Sequence, residues 1–322
     1  MNTTDKVAVT SRSFSRNPVL RAELLARYAR VTFNEAGRQF RGDELVEFLR
    51  GHEKAITALE QIDDYVLSRL PELKVIGKYG VGIDMIDLDA MRRYDKRLGW
   101  TGGVNRRSVA ELTISLSIAM LRQVQAANRE VLDGTWRQHV GGLLSGRTVG
   151  IIGCGFIGKE FVRLLQPFGC PILVNDIRDY KDFYAQHDIE AVALEDLLTR
   201  ADVVSLHVPL DDSTRQMLTA ERLMLMKPTA VLINTARGDL VDEVALKVAL
   251  RDKRLAGAAF DVFKEEPPQD KELLALSNFL ATPHIGGSAE ESILAMGRAA
   301  IDGLDSNEIP NYALDFNNGD SE

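Results

Sequence analysis

Long hydrophobic runs are missing from this 322-residue sequence, and so is any surplus of positive charge. The most apolar stretch, Leu112–Leu121, is interrupted by Thr113, Ser115 and Ser117 and bounded by Glu111 and Arg122. It is too short to span a bilayer, and no membrane association is expected. Met1–Lys6 is polar and no cleavable apolar core follows, so the sequence reads without a secretory signal. Lys and Arg number 39 against 47 Asp and Glu, a net charge of −8. That balance leaves no electrostatic footprint for nucleic acid or an anionic membrane. An anionic substrate must then be met by local positive charge rather than by a general field. Cysteine is scarce too. Cys154 and Cys170 form no CxxC or zinc spacing, so no metal site is expected, and a reducing, cytoplasmic setting suits the chain. No internal repeat shorter than a domain and no low-complexity segment stands out, and the polar tail Asn317–Glu322 is expected to fray.

What is present is an ordinary globular balance, 27% charged and 45% hydrophobic, in a chain long enough for two domains with separate cores. The organising stretch is Val149–Gly158, VGIIGCGFIG, with Asp176 eighteen residues beyond its last glycine. Val149, Ile151 and Ile152 read as a buried strand and Phe156 onward as a helix, with Gly153, Gly155 and Gly158 spaced G-x-G-x-x-G between them. The first glycine permits a tight turn, the second lets backbone approach a pyrophosphate, and the third allows helix to pack on strand. The helix start, Phe156 and Ile157 included, then offers free N–H groups and a positive dipole end to phosphates. Pro171–Asn175 reads as the next strand, delivering Asp176 where a carboxylate accepts hydrogen bonds from a ribose. Strand, glycines, helix, strand and acid in that order predict a dinucleotide site. Cys154, inside the turn, reads as a small space-filler.

Upstream, strands are expected at Lys6–Thr10, Val31–Phe33, Ala55–Thr57 and Lys74–Gly77. Helices are expected at Pro18–Ala29, Asp43–Leu49 and Tyr65–Leu70. This alternation predicts a small parallel α/β domain. Its last strand runs into Lys78-Tyr79-Gly80-Val81-Gly82, a glycine-rich loop at a strand's carboxy-terminal end. The loop is either an anion-binding nest or a tight turn and no more. Ser108–Leu132 is the longest helical candidate, started by the Ser108/Glu111 capping pair. Its uncharged face predicts an interdomain or intersubunit seam. Beyond Asp176, strands at Val203–Leu206, Ala230–Ile233 and Ala256–Phe260 alternate with a helix at Asp242–Leu250, and Leu280–Thr282 leads into Pro283–Gly287. A closing helix follows at Ala289–Leu304. Each strand ends in polar residues on the face that carries the glycine turn.

Three of those residues matter chemically. Arg237 offers a planar fork for a carboxylate. His284 titrates in the range useful for proton transfer, and a carboxylate such as Glu266 stabilises its protonated form. Singly, each has a bland reading: a surface ion pair, one acid in a charged loop, a capping group. Together, Thr235-Ala-Arg-Gly238, Asp261-Val-Phe-Lys-Glu-Glu-Pro267 and Thr282-Pro-His-Ile-Gly-Gly287, in order after the glycine turn, resemble the D-isomer-specific 2-hydroxyacid dehydrogenase family. The resemblance runs from about Val75 to Leu304.

It implies an NAD-dependent enzyme in which Arg237 binds the substrate carboxylate and carbonyl, His284 is the acid/base and Glu266, directly before Pro267, supports it. It implies that Lys78, Tyr79, Gly80 and Val81 touch substrate, that His207, Val208, Pro209 and Thr214 line the adenosine side, and that Thr235, Ala236 and Asp261 lie near the nicotinamide. It further implies two doubly wound parallel-sheet domains, a Rossmann nucleotide domain (104–282) inserted into a smaller flavodoxin-like substrate domain (1–103 and 283–322). A cleft that closes on ligand and a homodimer built around Ser108–Leu132 are part of the same expectation.

IGKYGVGIDMID and GVNRRSVAELT are most similar to the phosphoglycerate dehydrogenase branch, although no regulatory domain like that branch's follows the closing helix. Arg137, His139 and Lys78 read as phosphate ligands or as solvated loop charges. Substrates in view are 3-phosphoglycerate with phosphohydroxypyruvate, or glycerate, hydroxypyruvate and glyoxylate. Formate or phosphite oxidation and a dinucleotide-sensing, corepressor-like role are the alternatives. The formate enzymes pair the histidine with glutamine, which Glu266 disfavours.

Overall fold

The computed structural model describes residues 1–310, so the tail Asn317–Glu322 lies outside the described residues. The chain divides into two compact units, Met1–Asn105 with Ser288 onward, and Arg106–Gly287. The changeovers at 105/106 and 287/288 differ by a few residues from 103/104 and 282/283 read from sequence. The larger shift has a local cause: the Pro283–Gly287 turn is hydrogen-bonded to Asp261 of the second unit.

In the first unit, β1 (Asn2–Val9), β2 (Tyr28–Phe33), β3 (Lys54–Thr57), β4 (Val75–Lys78) and β5 (Arg97–Gly99) form one sheet in the order β2-β1-β3-β4-β5, all pairs parallel. That is the flavodoxin-like order. β3, β4 and the Val7–Val9 end of β1 alternate little between buried and exposed because both faces are covered there. On one face the closing helix Glu290–Gly303 packs Met296, Ala300 and Ile301 against Val7, Val9 and Leu20. Burying such side chains contributes about 1.5–3 kcal/mol each. A polar tie completes the joint: Lys54 Nζ donates to Tyr28 Oη at 2.9 Å and to Asp305 at 3.0 Å, and Tyr28 donates to Asp305.

In the second unit, seven parallel strands follow: β6 (Val149–Ile152), β7 (Ile172–Asn175), β8 (Ile189–Ala191), β9 (Val203–Leu206), β10 (Val231–Asn234), β11 (Gly257–Phe260) and β12 (Phe279–Ala281). Their order is β12-β11-β10-β9-β6-β7-β8, so the chain reverses direction across the sheet between β6 and β9. This is the dinucleotide-fold switch point, and the loops after β6 and β9 meet there.

The helix expected over Ser108–Leu132 is two helices, Arg106–Leu121 and Val124–Leu132, broken where Gln123 takes a left-handed φ of 53°. The capping pair is also corrected. The helix begins at Arg106, and the Ser108 hydroxyl, instead of capping, donates to the Gly286 carbonyl at 2.6 Å. Ala110, Leu116, Met120 and Leu121 belong to the second unit's own core, whereas Val124–Leu132 buries none of its residues. Among the described residues, no helix is long and apolar enough to cross a membrane.

Candidate active site

The glycine turn is built as its spacing requires. Gly153 has φ +96°, and a Cβ there would lie 2.8 Å from His207 backbone and from Val208. A Cβ on Gly158 would meet the Gly153 carbonyl at 2.1 Å, so only glycine lets the helix Phe156–Leu165 start this close to β6. At Gly155 a Cβ would meet nothing, and no side chain caps the helix. The first N–H groups, around Phe156 and Ile157, are therefore left for an anion.

Asp176, just past β7, is fixed from both sides: Oδ2 accepts from the Cys154 N–H at 2.5 Å and Oδ1 from the Arg178 N–H at 2.8 Å. Each oxygen keeps a second lone pair for a ribose hydroxyl. Burial, then the Asp176 charge, pushes the Cys154 thiol up to about 12, so it stays protonated and fills space. These residues fit a dinucleotide.

On the other side of the switch point, the loop after β9 carries His207, Val208, Pro209 and Thr214. The His207 ring turns inward: Nε2 meets Ser205 Oγ at 2.9 Å, and the ring packs edge-on against Phe161. Its Nδ1 is buried with no partner, and burial holds the ring down at about 3, so it is neutral. Thr214 spends its hydroxyl on the Pro209 carbonyl at 2.7 Å, shaping the loop from within. Thr235 pairs with Thr113 of the helix Arg106–Leu121 at 3.1 Å, and Ala236 is buried.

The structure brings Arg237, Glu266 and His284 together. Glu266 Oε2 lies 2.9 Å and Oε1 3.2 Å from His284 Nδ1, and Oε1 also accepts from the Phe263 N–H at 3.1 Å. Partial burial pushes the Glu266 carboxyl up. The hydrogen bond and charge of His284, the Phe263 N–H and the Arg237 charge outweigh it and hold the group below the usual glutamate range. With Nδ1 committed to Glu266, Nε2 is the nitrogen left for a substrate oxygen.

Arg237 is placed by a residue that the motifs do not single out. Asn234, fully buried at the end of β10, accepts from the Ala236 N–H at 3.1 Å and donates to the Arg237 carbonyl at 2.8 Å. Its one sequence signal is a polar residue ending an apolar strand. Gly238 then lies against the Phe263–Lys264 backbone, where a Cβ would come within 1.9 Å, so the arginine turn and the Glu266 loop are packed as one piece.

In the first unit, the Lys78–Val81 turn is internally tied. Buried Lys78 Nζ donates to Ala58 O at 2.5 Å and to Tyr79 O at 3.3 Å, Gly80 has φ +116°, and Trp100 donates to Val81 O at 2.8 Å. Of the phosphate-ligand candidates, His139 Nε2 lies 2.8 Å and Arg137 Nη1 3.7 Å from Glu130.

Residues 114–286 match the family described as D-isomer specific 2-hydroxyacid dehydrogenase, NAD binding domain. The chain is 40% identical to the (S)-sulfolactate dehydrogenase of Chromohalobacter salexigens, over 72% of this chain and 76% of that one. It is also 40% identical to the D-3-phosphoglycerate dehydrogenase of Methanocaldococcus jannaschii over 72% of its length, and spans 45% of that longer relative. Among solved structures, the D-lactate dehydrogenase of Aquifex aeolicus complexed with NAD and lactic acid superposes with a TM-score of 0.80. It is 25% identical, over 94% of each chain.

Proposed function

This chain belongs to the D-isomer specific 2-hydroxyacid dehydrogenase family, and we propose that it interconverts a small D-2-hydroxy acid and its 2-keto acid, with His284 as acid/base, Glu266 as its support and Arg237 as the carboxylate clamp. The observation that carries the proposal is the 2.9 Å contact of His284 Nδ1 with Glu266, made while the Arg237 charge acts on the same carboxylate. NAD, when bound, supplies or takes up the hydride. Gly153, Gly155, Phe156, Ile157 and Gly158 would hold its phosphates and Asp176 its ribose, with His207–Pro209 and Thr214 walling the adenosine side and Thr235 and Ala236 the nicotinamide end.

In reduction, His284 Nε2 gives a proton to the substrate oxygen, and Glu266 keeps the ring oriented for that transfer. Arg237 grips the carboxylate and fixes which carbon faces the cofactor. Lys78–Val81 is proposed as the first unit's contribution to substrate contact. Glu266 rather than glutamine beside the histidine favours this reading over formate oxidation.

One screen tests it: oxidation of NADH and NADPH against glyoxylate, hydroxypyruvate, pyruvate, bulkier ketoacids, phosphohydroxypyruvate and sulfopyruvate. Turnover with at least one acid, with NADH preferred because Asp176 repels a 2′-phosphate, is the expected result. Tight cofactor binding without turnover on any acid would instead favour the sensor role.

The pH dependence follows from the Glu266 shift. Glu266, held below the usual glutamate range, carries a negative charge 2.9 Å from His284 Nδ1, and glutamine would remove that charge. Reduction consumes a proton, so its rate should fall as pH rises, and in Glu266→Gln the fall should begin at lower pH. Initial rates across pH check this, and an unchanged profile removes Glu266 from its role.

We also propose a homodimer, with its seam at Val124–Leu132 and the loop after it. Val131, Leu132, Trp136 (84% exposed), Val140 (93%) and Leu143 are apolar residues of this segment that each stand exposed. Arg129 holds the helix in place by donating to the carbonyls of Leu274, Ala275 and Leu276, so the apolar residues stand on a fixed base. A second copy of this chain is the proposed occupant. Sedimentation should give twice the 35.7 kDa chain mass, and a monomer at micromolar concentration would rule the dimer out.

A further inference from the structure

Asp239 follows Arg237 by two residues, and only 8% of it is exposed. A carboxylate that far from water is costly unless cations meet it. Two do, and they come from different segments. Arg215, at the end of the loop after β9, donates through Nη1 to Oδ2. Lys264, in the loop that leads to Glu266, brings Nζ to 3.8 Å from Oδ1, which is buried and has no hydrogen bond among the described residues. The backbone repeats the first connection. The Gln216 N–H donates to the Asp239 carbonyl at 2.7 Å, the Leu218 N–H to the Leu240 carbonyl at 3.0 Å, and the Asp242 N–H to the Leu218 carbonyl at 3.1 Å.

The loop that ends in Arg215 is tied into one piece. Asp211 Oδ1 accepts from the Ser213 N–H at 2.7 Å and the Thr214 N–H at 3.1 Å, and the Asp211 carbonyl accepts from the Arg215 N–H at 2.9 Å. Thr214 reaches back to the Pro209 carbonyl. A shift at Val208–Pro209 therefore carries Arg215 with it. On the other side, Gly238 rests on the Phe263–Lys264 backbone, and the Lys264 N–H donates to Glu243 Oε1 at 2.8 Å. The Arg215 side chain is half exposed, so its pair with Asp239 adds little stability. The place of the pair is more telling. It joins the loop assigned to the cofactor with the turn assigned to the substrate carboxylate.

We propose that Asp239 is a positioning residue that couples the two binding sites: cofactor seated against Val208–Pro209 fixes Arg215, and Asp239 hands that constraint to the Arg237 turn. Arg237 then grips the carboxylate best when the cofactor is in place. By linkage the reverse holds equally, so a gripped carboxylate tightens cofactor binding by the same factor. Asp239 itself touches neither ligand. The proposal rests on Arg237 being the carboxylate clamp and on the loop after β9 walling the cofactor.

The test measures NADH affinity by nicotinamide fluorescence in the full-length protein, with and without a saturating 2-hydroxy acid. The acid used is the one formed from the best ketoacid, since it presents its carboxylate to Arg237 and cannot react with NADH. In wild type the acid should tighten NADH about fivefold or more, the lower end of usual couplings between sites. In Asp239→Asn and in Arg215→Gln the factor should fall toward one, while NADH affinity without the acid stays within about twofold of wild type. If Asp239→Asn does not fold, Arg215→Gln, at a half-exposed position, decides alone. A lower melting temperature with the coupling intact makes the pair structural only and overturns the proposal. So does a wild type with no coupling, or NADH affinity lost equally with and without the acid. Arg237→Ala separates the two levels. Coupling lost there but kept in the Asp239 and Arg215 variants removes only the role of Asp239. Coupling kept in Arg237→Ala, or no ketoacid turned over at all, overturns the clamp reading and the proposal together.

Discussion

His284→Ala is expected to lose about 10²–10⁴-fold in kcat, the usual contribution of a positioned acid/base, while NADH binds as before. The ring is partly exposed and held through Nδ1 alone, so alanine removes few packing contacts and the fold should survive the change. The cofactor elements Gly153–Gly158 and Asp176 lie on β6 and β7, at the other side of the sheet from β12, and are built from their own backbone contacts. Fluorescence titration with NADH therefore measures a part of the unit that the substitution does not touch. Steady-state reduction of the best ketoacid measures the part it does. Without an imidazole, the proton must come from water, so the remaining rate should also lose the pH dependence tied to the ring. Turnover near wild type would overturn the mechanism whatever the cofactor affinity.

Much of the second unit's fold, and the identity of the site residues, was legible in the sequence, because it is carried by local rules. G-x-G-x-x-G works through sterics at single residues, and Gly153 and Gly158 take the places those rules require. The parallel strands announce themselves because burial on both faces makes them apolar throughout, as in Val149–Ile152 and Val203–Leu206. Each strand's end could then be read for chemistry, which is how Arg237 and His284 came into view. Boundaries were off by one to four residues, as at Val75–Lys78 against an expected Lys74–Gly77 and Asn2–Val9 against an expected Lys6–Thr10.

What stayed hidden depends on contacts between distant segments or on a single backbone angle. The break at Gln123 is one left-handed residue in an otherwise helical pattern, and hydrophobic periodicity does not register it. The Ser108/Glu111 pair matches a capping signature, but Ser108 is used 178 residues away, on the Gly286 carbonyl. Asp261 illustrates the same limit: its sequence context marks it as a polar strand end, and only the folded turn reveals three donors converging on it. The inward-facing, neutral His207 is likewise a product of burial that its motif does not announce.

Arg237→Ala should cost more than its partners in substrate binding, and kcat/KM for the ketoacid should fall about 10²–10⁴-fold. That range is two charge-assisted hydrogen bonds at about 1.5–3 kcal/mol each, the two arms of a guanidinium fork on a carboxylate. Because the carboxylate is gripped both before and during hydride transfer, the loss should be divided, with KM raised and kcat lowered, rather than fall on kcat alone as for His284→Ala. The fork is aimed before any substrate arrives. Arg237 Nη1 donates to the Ala236 carbonyl at 2.7 Å, Asn234 ties down the backbone on both sides, and Gly238 rests on Phe263 and Lys264. Arg237→Lys tests whether that geometry matters beyond charge. A lysine ammonium is a point charge on a flexible stem, so it should recover part of the KM and little of the kcat. Full recovery by lysine would mean that Arg237 supplies only a positive field, and an unchanged KM in Arg237→Ala would place the carboxylate elsewhere.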